Sequence, residues 1–487
     1  MTEFAERPNQ TGCPVPMSDN KPCGRPIHPA PSDVDKQPVC LMHSGDSNKE
    51  EARFKKEIEA IRSGISKHHR LEDAFDFERF VFPETSFYKE TFAKEVNFSF
   101  AKFTQRANFA STTFTHKVNF YGAKFVQRAN FVEAAFLMEA SFGEVEFAQG
   151  AVFFQAIFKE GASFWRTMFT EGASFRMAQF ARKANFATTT FVQEAFFDRA
   201  QFIRGVDFSV VTFAQKVDFG ESTFMEETKF DGATFAEEAN FQKTVFGVRL
   251  GETQQTDPIM DAPAIADLRG VRFLKPRGVR FLRVNEECPQ GLRARFVNCD
   301  MEEVTFEAVR WHRQNRRMIL QDEIDRRGNV SEAASSEEVA TAYRRLINNF
   351  ERARAYDLAE DCSIGAMEMK RLDPTQPVFS RIAVNLYRLA SNYGSSYRRA
   401  LGVLLGFVLI AFPLLFACPL VGLAPNSGRS VLEPTGLIHS LEVATFQSNT
   451  HYVATNGLAW GLEILERIFV PAQVALFLLA LRRRFRR

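Results

Sequence analysis

Residues 96–131 read VNFSFAKFTQRANFASTTFTHKVNFYGAKFVQRANF, and this stretch decides the fold. Phe98, Phe103, Phe109, Phe114, Phe120, Phe125 and Phe131 recur in alternating steps of five and six, and the pattern continues unbroken to Phe246. The period is therefore eleven. Two residues before every one of these phenylalanines stands a small or β-branched residue, as at Val96, Ala101, Ala107, Thr112 and Val118. In most of the alternate units a turn-forming Asn, Ser or Asp immediately precedes the ring, as at Asn97, Asn108, Asn119, Ser163 and Asp207.

An eleven-residue period is also the mark of a right-handed coiled coil, so the helical alternative has to be tested. At about 100° per residue, phenylalanines five apart would lie roughly 140° apart and form no single apolar seam. Leu137 is the only leucine between Phe82 and Phe246, and no proline follows Pro83 in that span, whereas Thr, Val and Phe abound. These preferences favour short strands. In a strand, residues i−2 and i share a side, so each small residue and its phenylalanine point inward together. Repetition with intervening turns winds such strands into a solenoid filled by stacked rings.

Stretches such as Ala107-Asn108-Phe109 and Ala129-Asn130-Phe131 resemble the pentapeptide-repeat family. The resemblance implies a right-handed quadrilateral parallel β-helix, with residues i and i−2 inward. The sixth residue in every second unit departs from the family pattern and implies a coil of about 22 residues that bulges at two corners. Residues 82–246 would then make roughly seven coils. Spacing at Phe296, Met301, Phe306 and Trp311 predicts one or two further coils after an irregular insertion at 247–290.

Three thiols and an imidazole, Cys13, Cys23, Cys40 and His43, fall near the beginning of the sequence in a stretch rich in Pro, Gly, Asp and Ser. They are a candidate Cys3His set for structural zinc, whose binding would supply stability that so little apolar content cannot. His28 is a competing ligand, and short cysteine-containing headpieces before the β-helix of some bacterial pentapeptide-repeat proteins are similar. With four protein ligands no position stays open for a catalytic water. The absence of an apolar leader places the seven cysteines in a reducing compartment.

Beyond Trp311 the pattern becomes helical, first from about Arg316 and then as a pair of packed helices across 339–372 introduced by the capping sequence Ser335-Ser336-Glu337-Glu338. Glu368, Asp357 and Asp361 read as solvated or paired charges. Residues 401–423 carry no charge and are long enough to span a bilayer, and a second apolar stretch lies at about 460–481. Arg381, Arg388, Arg398 and Arg399 precede the first and five arginines follow the second, while only Arg429 lies between. The positive-inside rule then places both termini in the cytoplasm of a two-span protein of the cell inner or plasma membrane. Span, short amphipathic helix at 433–446 and span together resemble the two-helix pore module of potassium-type channels. Residues 444–452 hold no Gly-Tyr-Gly filter, so the resemblance implies a degenerate anchor.

The expected fold class is thus mainly β: a pentapeptide-repeat solenoid followed by an α-helical hairpin and two transmembrane helices. The expected divisions are a headpiece at 1–47, a connecting helix at 48–75, the β-helix at 76–311, a cytoplasmic helical segment at 312–398 and a membrane domain at 399–487. A net charge of +2, with 17 basic and 19 acidic residues across 82–246, speaks against nucleic-acid binding. No phosphate loop, nucleophile elbow or triad can be assembled, so no catalytic or cofactor-binding residues and no small-molecule substrate are expected. The expected role is a non-enzymatic scaffold on a lipid bilayer, binding an unidentified protein and with homo-oligomerisation open. The alternative is an ion channel with a cytoplasmic β-helical assembly or sensing domain.

Overall fold

The computed structural model describes residues 12–28, 35, 37–46, 49–66, 73–248, 264–412, 421–423, 435–445, 452–454 and 457–485. The chain divides into two compact units, Met1–Ala334 and Ser335–Arg487.

The first unit is a parallel β-solenoid of about ten turns. Strands mostly two residues long stack into four parallel sheets of ten, nine, ten and eight strands. Register advances by 22 residues per turn, with Phe103 beside Phe125 and Phe125 beside Phe147. Every phenylalanine in the alternating series from Phe98 to Phe246 is at most 2% exposed. Rings one turn apart stack nearly flat, as in Phe131–Phe153 at 4.7 Å and 0°, while rings eleven apart in the set Phe98, Phe109, Phe120 and onward meet edge to face, as in Phe142–Phe153 at 5.4 Å and 88°. Both geometries suit the ring quadrupole. At four inward threonines the hydroxyl donates to a carbonyl of the preceding turn: Thr112 to Phe87, Thr167 to Phe142, Thr189 to Phe164 and Thr244 to Phe219, at 2.6–2.9 Å. A polar atom in the core is thereby satisfied.

The two step lengths correspond to two corners. In the five-residue step the N–H of Ala101 donates to the carbonyl of Phe98 at 3.0 Å, and Phe100 between them has φ of 56°. This left-handed residue, which a type II turn requires at its third position, recurs every eleven residues through Ser111, Gly122 and Glu133 to Lys243. The Asn or Asp before the ring locks the corner by accepting the N–H two residues on, as Asn119 does from Tyr121 at 2.9 Å and Asp218 from Gly220 at 2.8 Å. The six-residue step turns through one more residue and, Gly205 apart, without a left-handed one. Outward charges pair one turn apart, for example Lys117–Glu139, Lys124–Glu146 and Arg199–Glu221. Exposed pairs of this kind contribute little each, about 0–1 kcal/mol.

The coil resumes earlier than the spacing predicts. Strands Ala266–Asp267, Arg272–Phe273 and Val279–Leu282 extend three of the sheets inside the stretch 247–290 expected as an irregular insertion. Leu268, buried at 1%, occupies the place where the series would put a phenylalanine, so the signal vanishes although the fold continues. The fourth sheet stops at Phe246, where the Asn285 side chain takes over: its Oδ1 accepts the Phe246 N–H at 2.6 Å and its Nδ2 donates to the Phe246 carbonyl at 2.8 Å.

Residues 316–318, expected to begin a helix, instead belong to a hairpin, Arg313–Gln314 against Arg317–Met318. Asn315 and Arg316 at its tip both have positive φ, the pair that a tight two-residue hairpin turn demands. Helix α2, Gln321–Arg327, follows within this same unit. Its Asp322 accepts the Phe296 N–H at 2.7 Å, and Arg295 reaches Asp325 at 2.7 Å and Glu227 at 2.6 Å. These bonds close the last coil.

In the second unit, α3 (Ser336–Arg352) and α4 (Tyr356–Leu372) pack together as expected. Ser335 and Glu338 form a complete capping box at the start of α3. Glu368 is buried and paired with Arg371 at 2.9 Å and Arg388 at 3.2 Å. Helix α5 is Val378–Ser391 and α6 is Tyr397–Gly406, prolonged by a π-turn at Phe407–Ala411. Two shorter elements follow: α7, Thr435–Ala444, and a strand pair Val421–Leu423 with Tyr452–Ala454. Helix α8 runs from Gly457 to Phe485. Residues 413–420 of the first expected span and 446–451 of the filter-like stretch lie outside the described residues.

Candidate metal centre and apolar helix

The Cys and His residues near the N-terminus are brought together by two local devices. Residues 12–25 double back as a hairpin: the Cys13 N–H donates to Arg25 C=O at 2.7 Å, the Cys23 N–H to Val15 C=O at 2.8 Å, and Pro16 bridges Pro22. The nine-residue gap between Cys13 and Cys23 is therefore the length of that hairpin. Gly12 lies against Gly24 so closely that a Cβ would stand 2.8 Å from the Gly24 carbonyl oxygen. The second device is a single turn, in which the N–H groups of His43 and Ser44 both donate to Cys40 C=O at 3.0 Å. It places the Cys40 Sγ 3.3 Å from His43 Nδ1. A bridge between Ile27 and Cys40 joins the two devices.

The resulting donor atoms lie within 4.8 Å of one another. Cys13 Sγ stands 3.4 Å from His43 Nδ1 and Cys23 Sγ 4.0 Å from Cys40 Sγ. A tetrahedron with metal–sulfur bonds of ~2.3 Å and metal–nitrogen bonds of ~2.0 Å has edges of about 3.5–3.8 Å. The donor set thus fits one tetrahedral metal ion, and all four residues are at most 9% exposed. The cysteines are free thiols, not disulfides. Nδ1 of His43 faces the thiols while Nε2 lies 3.3 Å from the carbonyl of Glu78, the outer contact that orients a ligating imidazole. His28, the competing candidate, is buried but does not belong to this group.

The electrostatics of the site call for a cation. Hydrogen bonds from Cys23 and Cys40 drive the Cys13 thiol far down toward thiolate, whereas Cys13 and Cys23, together with burial, hold Cys40 far up as a thiol. Burial alone would lower the His43 imidazole, but contacts with Cys13 and Cys23 raise it to about 9. Three sulfurs this close cannot all ionise without a counter-charge, which a dication would provide.

The headpiece closes the first coil. Val81 N–H donates to Met42 C=O at 2.7 Å, and Ser18 donates through N–H and Oγ to the Glu78 carboxylate at 2.8 and 2.9 Å. The His43 ring meets Phe80 edge-on at 5.5 Å, and Phe54 of α1, Glu51–Arg62, meets Phe82 in the same way. Lys49 donates to the carbonyls of Leu41, Ser44 and Val81, and burial lowers its ammonium to about 8. Glu78 and Lys49 escaped the sequence reading because their role is to support the ligands, and no spacing rule marks that role.

In the other unit, one helix among the described residues, Gly457–Arg483, is long and apolar enough to cross a membrane, and only 22% of its apolar window is buried in the protein. Leu458, Trp460, Leu465, Ile468 and Leu478 are exposed along it. Its Gln473 is buried, donating to Ala390 C=O and Ala400 C=O at 2.9 Å each. Ser440 of α7 donates to Glu466 at 2.6 Å, and His439 lies 3.0 Å from Glu463. No family model, curated protein or solved structure matches this chain.

Proposed function

We propose that this chain is a non-enzymatic, membrane-anchored scaffold: a pentapeptide-repeat-type β-helix with a zinc-holding headpiece, tethered by two C-terminal spans with both termini cytoplasmic. The observation that carries it is the pairing of a solenoid whose interior is filled ring upon ring with an apolar helix that leaves most of its surface outside the protein. A filled interior leaves the faces of the coil as the place for recognition, and their regular rows of side chains suit a protein partner. Zinc is favoured over other metals by three thiolates and one imidazole in tetrahedral spacing. Photo-crosslinkers at outward positions such as Met168 and Gln179, in the full chain in native membranes, test the scaffold reading. Protein adducts at these positions are expected, and their complete absence would overturn it.

A second reading, an oligomeric ion channel, is favoured by one observation. Glu463 and Glu466 are buried carboxylates on an apolar helix and lie against the short helix α7, and ionisable groups at such depth commonly line ion paths. Conductance of purified protein in planar bilayers separates the two.

A further inference from the structure

Helix α5 carries an apolar row that points away from its own unit. Val378, Phe379, Ile382, Leu386 and Leu389 are 50–86% exposed, Phe379 most of all. At about 100° per residue these five fall within an arc of roughly 100°. The residues buried on the helix, Val384 and Ser391, lie on the opposite side. The helix is thus packed by its back and presents an uncovered apolar stripe. Arg381 and Arg388 lie along one edge of the stripe and are exposed, Arg388 also pairing with Glu368, and exposed Arg398 and Arg399 follow on the next helix.

The bundle holds this stripe at a defined level. Asn392, Tyr393 and Gly394 all have positive φ and reverse the chain sharply between α5 and α6. Gln473 of α8 donates to Ala390 C=O on one side of that elbow and to Ala400 C=O on the other, Arg483 donates to Tyr393 C=O at 3.1 Å, and Tyr393 donates to Glu368 at 2.8 Å. The elbow therefore sits beside the arginine-bearing end of the apolar helix, where hydrocarbon gives way to headgroups. An apolar stripe edged with arginines at that level has the composition of a helix lying in the plane of a membrane.

We infer that α5 is an interfacial helix that docks its Val378–Phe379–Ile382–Leu386–Leu389 stripe onto the anionic lipid surface beside the span. The inference rests on the anchoring proposed above. Charge complementarity of Arg381, Arg398 and Arg399 and continuity with the apolar helix select lipid over a second copy of the chain or a protein partner.

The test places a reporter on the stripe, F379W, in the full chain reconstituted in nanodiscs whose lipids carry bromine at shallow or deep acyl positions. The emission of Trp165, Trp311 and Trp460 is subtracted using the parent chain. The added emission is expected to be blue-shifted, quenched more by shallow than by deep bromine, and quenched more in discs containing phosphatidylglycerol than in phosphatidylcholine alone. Red, unquenched emission means that the stripe faces water, and blue, unquenched emission that protein covers it; either overturns the inference. Equal quenching in the two lipids overturns the anionic part. Alkaline carbonate extraction of the parent chain keeps the two readings apart. Release into the supernatant sinks the anchor itself, whereas retention in the pellet with an unquenched reporter sinks only the docking of α5.

Discussion

Replacing Asn285 by alanine should unfasten the coil where the fourth sheet stops. Asn285 is fully buried, and its amide satisfies both the N–H and the C=O of Phe246, itself 2% exposed. Alanine keeps the main-chain bond from the residue 285 N–H to Thr244 C=O but leaves two buried backbone groups without partners. Each costs about 1–3 kcal/mol, so the loss is about 2–6 kcal/mol. The φ of 55° at this position adds to it, because asparagine tolerates the left-handed region better than alanine. Amide hydrogen exchange by mass spectrometry on the full chain in detergent reads this directly: even the lower figure accelerates exchange in the peptide around Phe246 by roughly thirtyfold. N185A, which removes a partly exposed corner bond to Ala187 N–H, is the control and should cost about 1 kcal/mol. Unchanged exchange around Phe246 in N285A would refute the idea that one side chain replaces a strand.

C40S or H43A should abolish stoichiometric metal, measured by plasma mass spectrometry, and raise exchange across 12–46 while coils beyond residue 110 stay protected, since each turn touches only its neighbours. Chelation of the parent chain should reproduce that pattern. Burial raises the Asp322 carboxyl to about 7. The folded state therefore holds a proton that the unfolded chain has lost above its ordinary value near 3.8, and stability should fall as pH rises from about 4 to 7, by on the order of 4 kcal/mol. D322N, which keeps an acceptor for the Phe296 N–H, should flatten this dependence in exchange of the last coil measured at several pH values. A carboxylate that is equally protected at pH 5 and 8 would contradict it. Val210 is β-branched with φ of 57° and 57% exposed, so V210G should stabilise its corner by about 0.5–1 kcal/mol, the left-handed strain of about 1–2 kcal/mol less the extra flexibility of the unfolded chain. Slower local exchange checks this, and faster exchange counts against it.

The solenoid was legible because its core is one decision repeated: a ring at i and a small residue at i−2 both point inward, so the period survives any change at the outward positions. Legibility ended where geometry was conserved with other residues. Leu268 continues the coil without being phenylalanine, and Asn285 imitates a strand from across an insertion. The hairpin tip at Asn315 and Arg316 was missed because neither residue is a glycine. The set Cys13, Cys23, Cys40 and His43 was readable from side-chain chemistry, and the hairpin at 12–25 accounts for the nine residues between Cys13 and Cys23. The α5 stripe was not read, because an apolar helical face means packing by default, and only the exposure of Phe379 shows that none of the described residues of its own unit covers it.

The half-coil is the indivisible unit of this architecture, and the interior cannot distinguish one half-coil from the next, because rings, small residues and left-handed corners all recur at eleven while a full revolution takes twenty-two. Duplicating eleven residues within 98–246 would leave the stack of rings intact yet swing everything downstream to the opposite side of the axis. Duplicating twenty-two would preserve every bearing and only lengthen the shaft, by one strand spacing of about 4.8 Å. Reach and aim can therefore be altered independently in this chain, without the core registering either change.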